Sequence, residues 1–382
     1  MKVVVAIDSL KGSLTSLEAG EAIRNGIRRA IPEAEVCVRP LADGGEGTVE
    51  ALVLGMGGRM EKVVVTGPLG KPVECAYGIL EESGTAIVEM SGAAGITLVP
   101  DQERNPMNTT TYGVGEVIKD AVAKGCRRFI VGIGGSATND GGIGMLQALG
   151  YGMLNRSGSQ VSFGAKGLEE LEEITATHVL PELKDCTFRI ACDVTNPLCG
   201  DCGASAIYGP QKGATPTMIL QMDKWLDHYA KLAAKTFPKA NQDQAGTGAA
   251  GGLGFAFLTF TNAGLESGIK IVLEETRLED YVKDADIVVT GEGRLDSQTV
   301  MGKAPIGVAN IAKKYGKPVL AFAGCVAEDA RECNSGGIDA YFPILRRVVT
   351  LQEAMDHDGA ERNMIATVEQ VFRLIRTLRR DV

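Results

Sequence analysis

The chain of 382 residues has only three histidines, one tryptophan and 5% aromatic side chains, and these shortages exclude whole classes of chemistry. His178, His228 and His357 stand in unremarkable polar surroundings. A Ser–His hydrolase and a histidine metal centre are therefore not expected. So few aromatics give no platform on which bases could stack. With 39 basic against 48 acidic side chains the net charge is −9, the wrong sign for gripping a polyphosphate backbone, so no nucleic-acid partner is expected. No apolar run approaches the ~18 residues of a membrane span, so no membrane partner is expected either. The nine cysteines are an odd, scattered set in a chain too large to need staples, which suits a reduced cytoplasm. Cys199 and Cys202 form a lone Cys-x-x-Cys with no second pair, a weak metal signal. The Gly-x-x-x-x-Gly-Lys-Ser/Thr loop, a Gly-x-Gly-x-x-Gly after the first strand and the Gly-x-Ser-x-Gly elbow are all missing.

The remainder is ordinary for a globular protein, with 45% hydrophobic and 23% charged residues. At roughly 100–200 residues per domain, two domains are expected. Glycine is the excess: 49 of 382 residues, where ~7% is usual, gathered in short clusters that let the backbone approach something closely. Apolar runs at 3–7 and 36–38, with a helix over about 17–30 capped by Ser16, give the first residues an α/β rhythm. The rhythm returns with runs at 285–290 and 318–323, a helix at 305–315, a short strand at 339–344 and a helical tail from 351. Strands at 73–79 and 86–90 and helices at 110–124 and 217–236 are expected between them. The fold class is α/β. Segments 1–65 and 285–382 are expected to share one parallel sheet, with 66–284 inserted as a second, mixed α/β domain. Thr66–Pro72 marks the expected crossing.

Five polar loops follow the expected strands, where open parallel sheets bind ligands. Asp8 and Lys11 flank a Ser/Gly turn suited to an anion. Asp43, Gly44, Gly45 and Glu46 combine carboxylates with close backbone approach. Gly134, Gly135, Ser136 and Thr138 offer amides and hydroxyls to phosphate oxygens. Asp193 and Asn196 end a strand, with Pro197 fixing the turn. Glu292, Arg294, Asp296 and Thr299 form the densest group, in which Arg294 suits a bidentate grip on a carboxylate or phosphate. Many carboxylates, a few cations, Gly-rich cradles and little histidine are what phosphoryl transfer needs, because that chemistry works by positioning and charge.

In this order, the blocks DSLKGS, PLADGGEGT, GIGGSATNDGG, CDVTNPL, GTGAAGGLG and TGEGRLDSQT resemble the type-1 glycerate kinase family, the bacterial glycerate 2-kinases. The blocks are long, unusual and span nearly the whole chain. The resemblance implies a Rossmann-like domain built from both chain ends, an inserted second domain and an active site in the cleft between them. It implies ATP, Mg²⁺ and D-glycerate, with 2-phosphoglycerate formed in glycerate, glucarate or glyoxylate breakdown. The alternatives are 3-phosphoglycerate, another small hydroxy acid as acceptor, or a non-catalytic sugar-acid sensor. Under the resemblance, Asp193 and Asp296 divide the roles of general base and Mg²⁺ ligand. Arg294 meets the glycerate carboxylate, Lys11 meets that carboxylate or serves the nucleotide, and Asp8, Glu292 and Asn196 line the substrate. Gly134, Gly135, Ser136 and Thr138 cradle ATP phosphates or line the substrate, and Asp43, Gly44 and Gly45 serve the nucleotide. The oligomeric state is left open, a homodimer included.

Overall fold

The computed structural model describes residues 1–42 and 48–379. In chain order the strands are β1 (Lys2–Val5), β2 (Glu35–Val38), β3 (Arg59–Thr66), β4 (Pro72–Leu80), β5 (Thr85–Glu89), β6 (Arg128–Gly132), β7 (Gly152–Leu154), β8 (Glu173–Thr175), β9 (Thr187–Ala191), β10 (Ala263–Glu266), β11 (Ile287–Leu295), β12 (Val319–Val326) and β13 (Ala340–Pro343). They fall into two compact units. One comprises Met1–Asp43, Leu54–Met56 and Ile269–Val382, and the other Gly44–Val53 and Gly57–Gly268.

The first unit carries a parallel sheet in the order β13-β12-β11-β1-β2. Val3, Val4 and Val5 are fully buried, the mark of a central strand covered on both faces. The helix Ser16–Ala30 packs Ala19, Ala22, Ile23 and Ile27 into one core with Ala360, Met364, Val368 and Phe372 of the helix His357–Arg379. Thr15, not Ser16, caps the first of these helices, in a capping box with Glu18. Ser16 is spent elsewhere. Its buried hydroxyl donates to the Ile7 carbonyl at 2.7 Å and accepts from the Leu41 N–H at 2.9 Å. One side chain thereby ties the loop after β1 to the loop after β2.

The second unit carries a mixed sheet, β10-β9-β6-β5-β4-β3, and the small pair β7-β8. β5, β6, β9 and β10 run parallel, while β3, β4 and β5 form an antiparallel meander. Phe129 and Phe188 stack at 4.7 Å between ring centroids, and Phe257 packs against Phe188. Residues 66–72, read above as a crossing between domains, are instead the turn of the β3–β4 hairpin, closed by the Gly67 N–H donating to Lys71 O at 2.7 Å. A Gly-Pro-x-Gly turn signals a change of direction equally well in both cases. At the other boundary, 269–284 belong with the C-terminal segment.

The two helices of the first unit approach closely at Gly26, where an added Cβ would lie 2.7 Å from the Ile365 carbonyl oxygen and 2.8 Å from Val368 Cβ. Substitution Gly26→Ala is expected to destabilise the fold by about 1–3 kcal/mol through overpacking, read as a lower urea midpoint at unchanged m-value.

Candidate active site

The strand order of the first unit reverses between β1 and β11: the chain moves from β1 to β2 on one side, and from β11 through β12 to β13 on the other. Open α/β sheets bind ligands beyond the carboxyl ends of their strands at such a point. There the structure has a cavity of about 350 Å³ lined by Asp8, Ser9, Lys11, Glu292, Gly293, Arg294, Asp296 and Lys303. Asp8, Lys11, Glu292, Arg294 and Asp296, separated by almost the whole chain in sequence, thus line one space. The Asp8 N–H donates to Gly291 O at 3.0 Å, continuing the sheet pairing into the loop. Gly12 supplies the left-handed turn, φ +83°, that brings the loop back.

The sequence reading placed Glu292 and Arg294 in a loop. They lie instead on β11, which runs on to Leu295 because it remains paired with β12 at Arg294↔Cys325 and Leu295↔Val326. Rigid strand backbone, not a mobile turn, therefore sets their positions. The Glu292 side chain is nearly buried, and burial raises its proton affinity. The Thr299 hydroxyl, donating to its Oε1 at 2.7 Å, and the Lys303 ammonium, 3.5 Å from its Oε2, oppose that rise. The same Thr299 hydroxyl accepts from the Asp296 N–H at 3.1 Å, so one side chain fixes both carboxylate-bearing residues. Asp296 Oδ1 accepts from the Gln298 N–H at 3.0 Å and lies 3.8 Å from Lys303 Nζ, and its Oδ2 is 3.4 Å from Arg294 Nε. The Arg294 side chain is 65% exposed, within reach of a soluble anion. Sequence reasoning missed Lys303. Its signal was the Gly-Lys-Ala-Pro run, in which Gly302 (φ +106°) turns the chain and Lys303 takes the N-cap position of the helix Ala304–Lys314.

The other expected residues lie in the second unit or outside the described residues. Asp43, Gly44 and Gly45 are among the latter. After β6, Gly134 and Gly135 are exposed, and Gly135 adopts φ +70°. Ser136 is buried and bridged to Gly95. From Thr138 onward the segment turns inward. Thr138 and Asp140 are fully buried, and among the described residues the Thr138 hydroxyl has no hydrogen-bond partner. Asp140 accepts from the Thr111 N–H at 2.8 Å, the Thr111 hydroxyl at 2.9 Å and the Gly142 N–H at 3.0 Å. The Lys212 ammonium, also buried, donates to Thr138 O at 2.7 Å. The Gly-rich stretch at 246–254 holds this segment from the other side. Ala250, Gly251 and Gly252 all have left-handed φ, and the Gly141 N–H donates to Gly251 O at 2.9 Å. The block expected to cradle phosphates is thus divided into an exposed pair of glycines and a buried support. Asp193, exposed just past β9, accepts from the Gly268 N–H at 3.2 Å. Both ends of the Asn196 amide are engaged locally: Oδ1 accepts from the hydroxyl of Tyr208, on the helix Ala204–Tyr208, at 2.6 Å, and Nδ2 donates to Cys202 O at 2.8 Å. Burial pushes the Cys199 thiol up to about 12, so it is not a thiolate.

The family model described as "Glycerate kinase family" matches residues 3–376. The chain belongs to the glycerate kinase family. A glycerate kinase from Haemophilus influenzae is 49% identical over 375 residues, covering 98% of this chain and 99% of the relative. A glycerate 2-kinase from Escherichia coli K12 is 48% identical over 373 residues, covering 96% and 98%. The crystal structure of a candidate glycerate kinase 2 from Salmonella typhimurium LT2 matches with TM-score 0.92 and 46% identity, covering 100% of this chain and 99% of that one. As a member of the glycerate kinase family the protein is a kinase, with an α/β fold in which the sheet built from both chain ends is parallel and the other is mixed. Among the described residues no helix is long and apolar enough to cross a membrane.

The buried support of the glycine pair gives a pH prediction. Desolvation lowers the Lys212 pKa from 10.5 to about 7, partly opposed by the Asp140 charge. Between those two values the unfolded chain binds a proton that the folded chain lacks, so this group makes stability rise with pH. The difference in unfolding free energy between wild type and Lys212→Met is therefore expected to rise from pH 7 to 10. A flat difference across that range would mean that Lys212 keeps an ordinary proton affinity.

Proposed function

We propose that the protein transfers the γ-phosphoryl group of ATP to the 2-hydroxyl of D-glycerate, giving 2-phosphoglycerate, in the cytoplasm during glycerate, glucarate or glyoxylate breakdown. The observation that carries this reading is the cavity at the β1–β11 switch point, where Lys11, Arg294 and Lys303 alternate with Asp8, Glu292 and Asp296. Membership of the glycerate kinase family and the glycerate 2-kinase name of the Escherichia coli relative support the substrate and the position phosphorylated. All nine cysteines are free, in keeping with a reduced compartment.

In this reading the exposed guanidinium of Arg294 takes the glycerate carboxylate in a two-point grip, with Lys11 and Asp8 closing the loop side. Asp296 supplies a carboxylate at this cavity, to accept the hydroxyl proton or to hold the metal. The donor set fits Mg²⁺. That ion is ordinarily held by one or two carboxylates plus substrate phosphates, and Asp296 and Glu292 provide such carboxylates at the cavity. When bound, Mg²⁺ would neutralise phosphate charge during transfer. Glu292, fixed by Thr299, shapes the acidic wall of the cavity. The exposed amides of Gly134 and Gly135 serve the nucleotide phosphates, with Ser136 beside them and buried Thr138 supporting the turn.

The test is to mix the purified protein with ATP, Mg²⁺ and D-glycerate and to identify the product by phosphorus NMR. A 2-phosphoglycerate signal is expected. A 3-phosphoglycerate signal would keep the kinase and overturn the placement of glycerate. Phosphorylation of a different hydroxy acid, with glycerate untouched, would overturn the substrate. Arg294→Met is expected to raise KM for D-glycerate about 10–100-fold, the loss of a charge-assisted pair, and steady-state kinetics would read it directly.

A further inference from the structure

We propose that Lys303 is a catalytic residue of this kinase, the cation that meets the transferred phosphoryl group while Arg294 holds the acceptor's carboxylate. The assignment rests on placing the reaction at the switch-point cavity, which Lys303 lines together with Arg294, Glu292 and Asp296. Three observations carry it. Its ammonium lies 3.5 Å from Glu292 Oε2 and 3.8 Å from Asp296 Oδ1, longer than the ~2.7–2.9 Å of a charge-assisted hydrogen bond. The two carboxylates therefore hold it in place by charge, without occupying its donors in short bonds. Its side chain is 39% exposed, which leaves the ammonium open to a ligand in the cavity. Its backbone takes the N-cap position in extended conformation, φ −68° and ψ 170°, ahead of the eleven-residue helix Ala304–Lys314, so the positive end of that helix adds to the same field.

Three cations line this cavity, and their chemistry separates them. Arginine presents a planar fork that matches a carboxylate, whereas lysine is a compact point charge with three rotatable donors. Phosphoryl transfer goes through a loose transition state, with charge spread over three equatorial oxygens. A mobile point charge can follow that charge as it develops. In the step, the bond between the γ-phosphorus and the ADP oxygen breaks, and ADP leaves with the electron pair. A bond forms from the acceptor hydroxyl oxygen to the phosphorus, and the hydroxyl proton passes to a carboxylate. Lys303 neither gains nor loses a proton. An interaction stronger in the transition state than in the ground state raises kcat without changing acceptor affinity, and that is the expected signature.

The experiment compares wild type, Lys303→Met, Lys303→Arg, Arg294→Met and Asp296→Asn, with ATP·Mg²⁺ and D-glycerate each varied. Lys303→Met is expected to lower kcat about 10²–10³-fold, the usual effect of removing one charge-stabilising donor, with KM for D-glycerate within about twofold of wild type. Lys303→Arg keeps the charge and is expected to recover at least tenfold of the loss. Calorimetry should find D-glycerate binding unchanged in Lys303→Met. A raised KM for D-glycerate at wild-type kcat would place Lys303 on the acceptor and overturn the proposal. Wild-type kinetics with a lowered melting temperature would make it a structural counter-ion, which also overturns it. Should Lys303→Met fail to fold, Lys303→Gln, which keeps length and hydrogen bonding without charge, takes its place under the same criteria. If Arg294→Met keeps the wild-type KM for D-glycerate and Asp296→Asn keeps full turnover, the placement of the reaction falls and the Lys303 assignment with it. If Arg294→Met raises that KM and Asp296→Asn loses turnover while the Lys303 variants keep wild-type turnover, the Lys303 assignment alone falls.

Discussion

The parallel pairing of β1 with β11 is the constraint from which the rest of the first unit follows. Val3 faces Ile287, Val4 faces Val288 and Val5 faces Val289, joining segments some 284 positions apart. Closing so long a loop costs entropy that grows only with the logarithm of its length, while the buried valines return a stabilisation proportional to area. The pairing is reinforced at its lower end by the Asp286 carboxylate, which accepts from the Lys2 N–H at 2.7 Å, and at its upper end by the Asp8 N–H on Gly291 O. Gly291 is required there, since a Cβ at that position would land on the Phe322 carbonyl oxygen of the neighbouring strand. A slip of one residue in this register would turn Glu292 and Arg294 to the opposite face of the sheet and dissolve the cavity.

Charge in that cavity is arranged so that no ionised group stands alone. Glu292 is the most enclosed carboxylate there, and it is made tolerable by one neutral donor, Thr299, and one cation, Lys303. Asp296, more open, shares Lys303 and leans on Arg294. The arrangement leaves Arg294 and Lys303 with exposed surface, so an anionic ligand can compete for them without first breaking a buried salt bridge. The second unit shows the opposite strategy. Asp140 and Lys212 are sealed inside and used on backbone amides and a carbonyl, which makes the turn at 134–142 rigid at a cost in desolvation.

Much of this was legible in the residues. Valine-rich runs at both ends of the chain announced central strands, because only a strand buried on both faces tolerates an uninterrupted apolar run. The dense polar blocks announced that the strand ends carry chemistry, and five of the residues singled out line the switch-point cavity. Other expectations required distances that a sequence does not contain. Ser16 and Thr15 are equally good caps by type, and the competition was decided by the Ile7 carbonyl and the Leu41 amide, groups far away in sequence. Asn196 reads as an open amide, and only the fold shows Tyr208 and Cys202 taking one of its acceptor and one of its donor positions.

Local patterning by itself determined the α/β class, the parallel character of the sheet built from both chain ends and the residue types of the site, because periodicity and turn chemistry act over a few neighbours. Tertiary structure alone decided that β11 extends through Glu292 and Arg294, that residues 66–72 turn a hairpin, that Thr138 faces inward and that Lys303 joins the carboxylates. Each of these depends on a partner across space: the edge of β12, the length of β4, the backbone of 250–252 and the position of a helix that begins eight residues after Asp296. Pairing and burial are properties of the packed chain, and a string of residues specifies them only through the fold they complete.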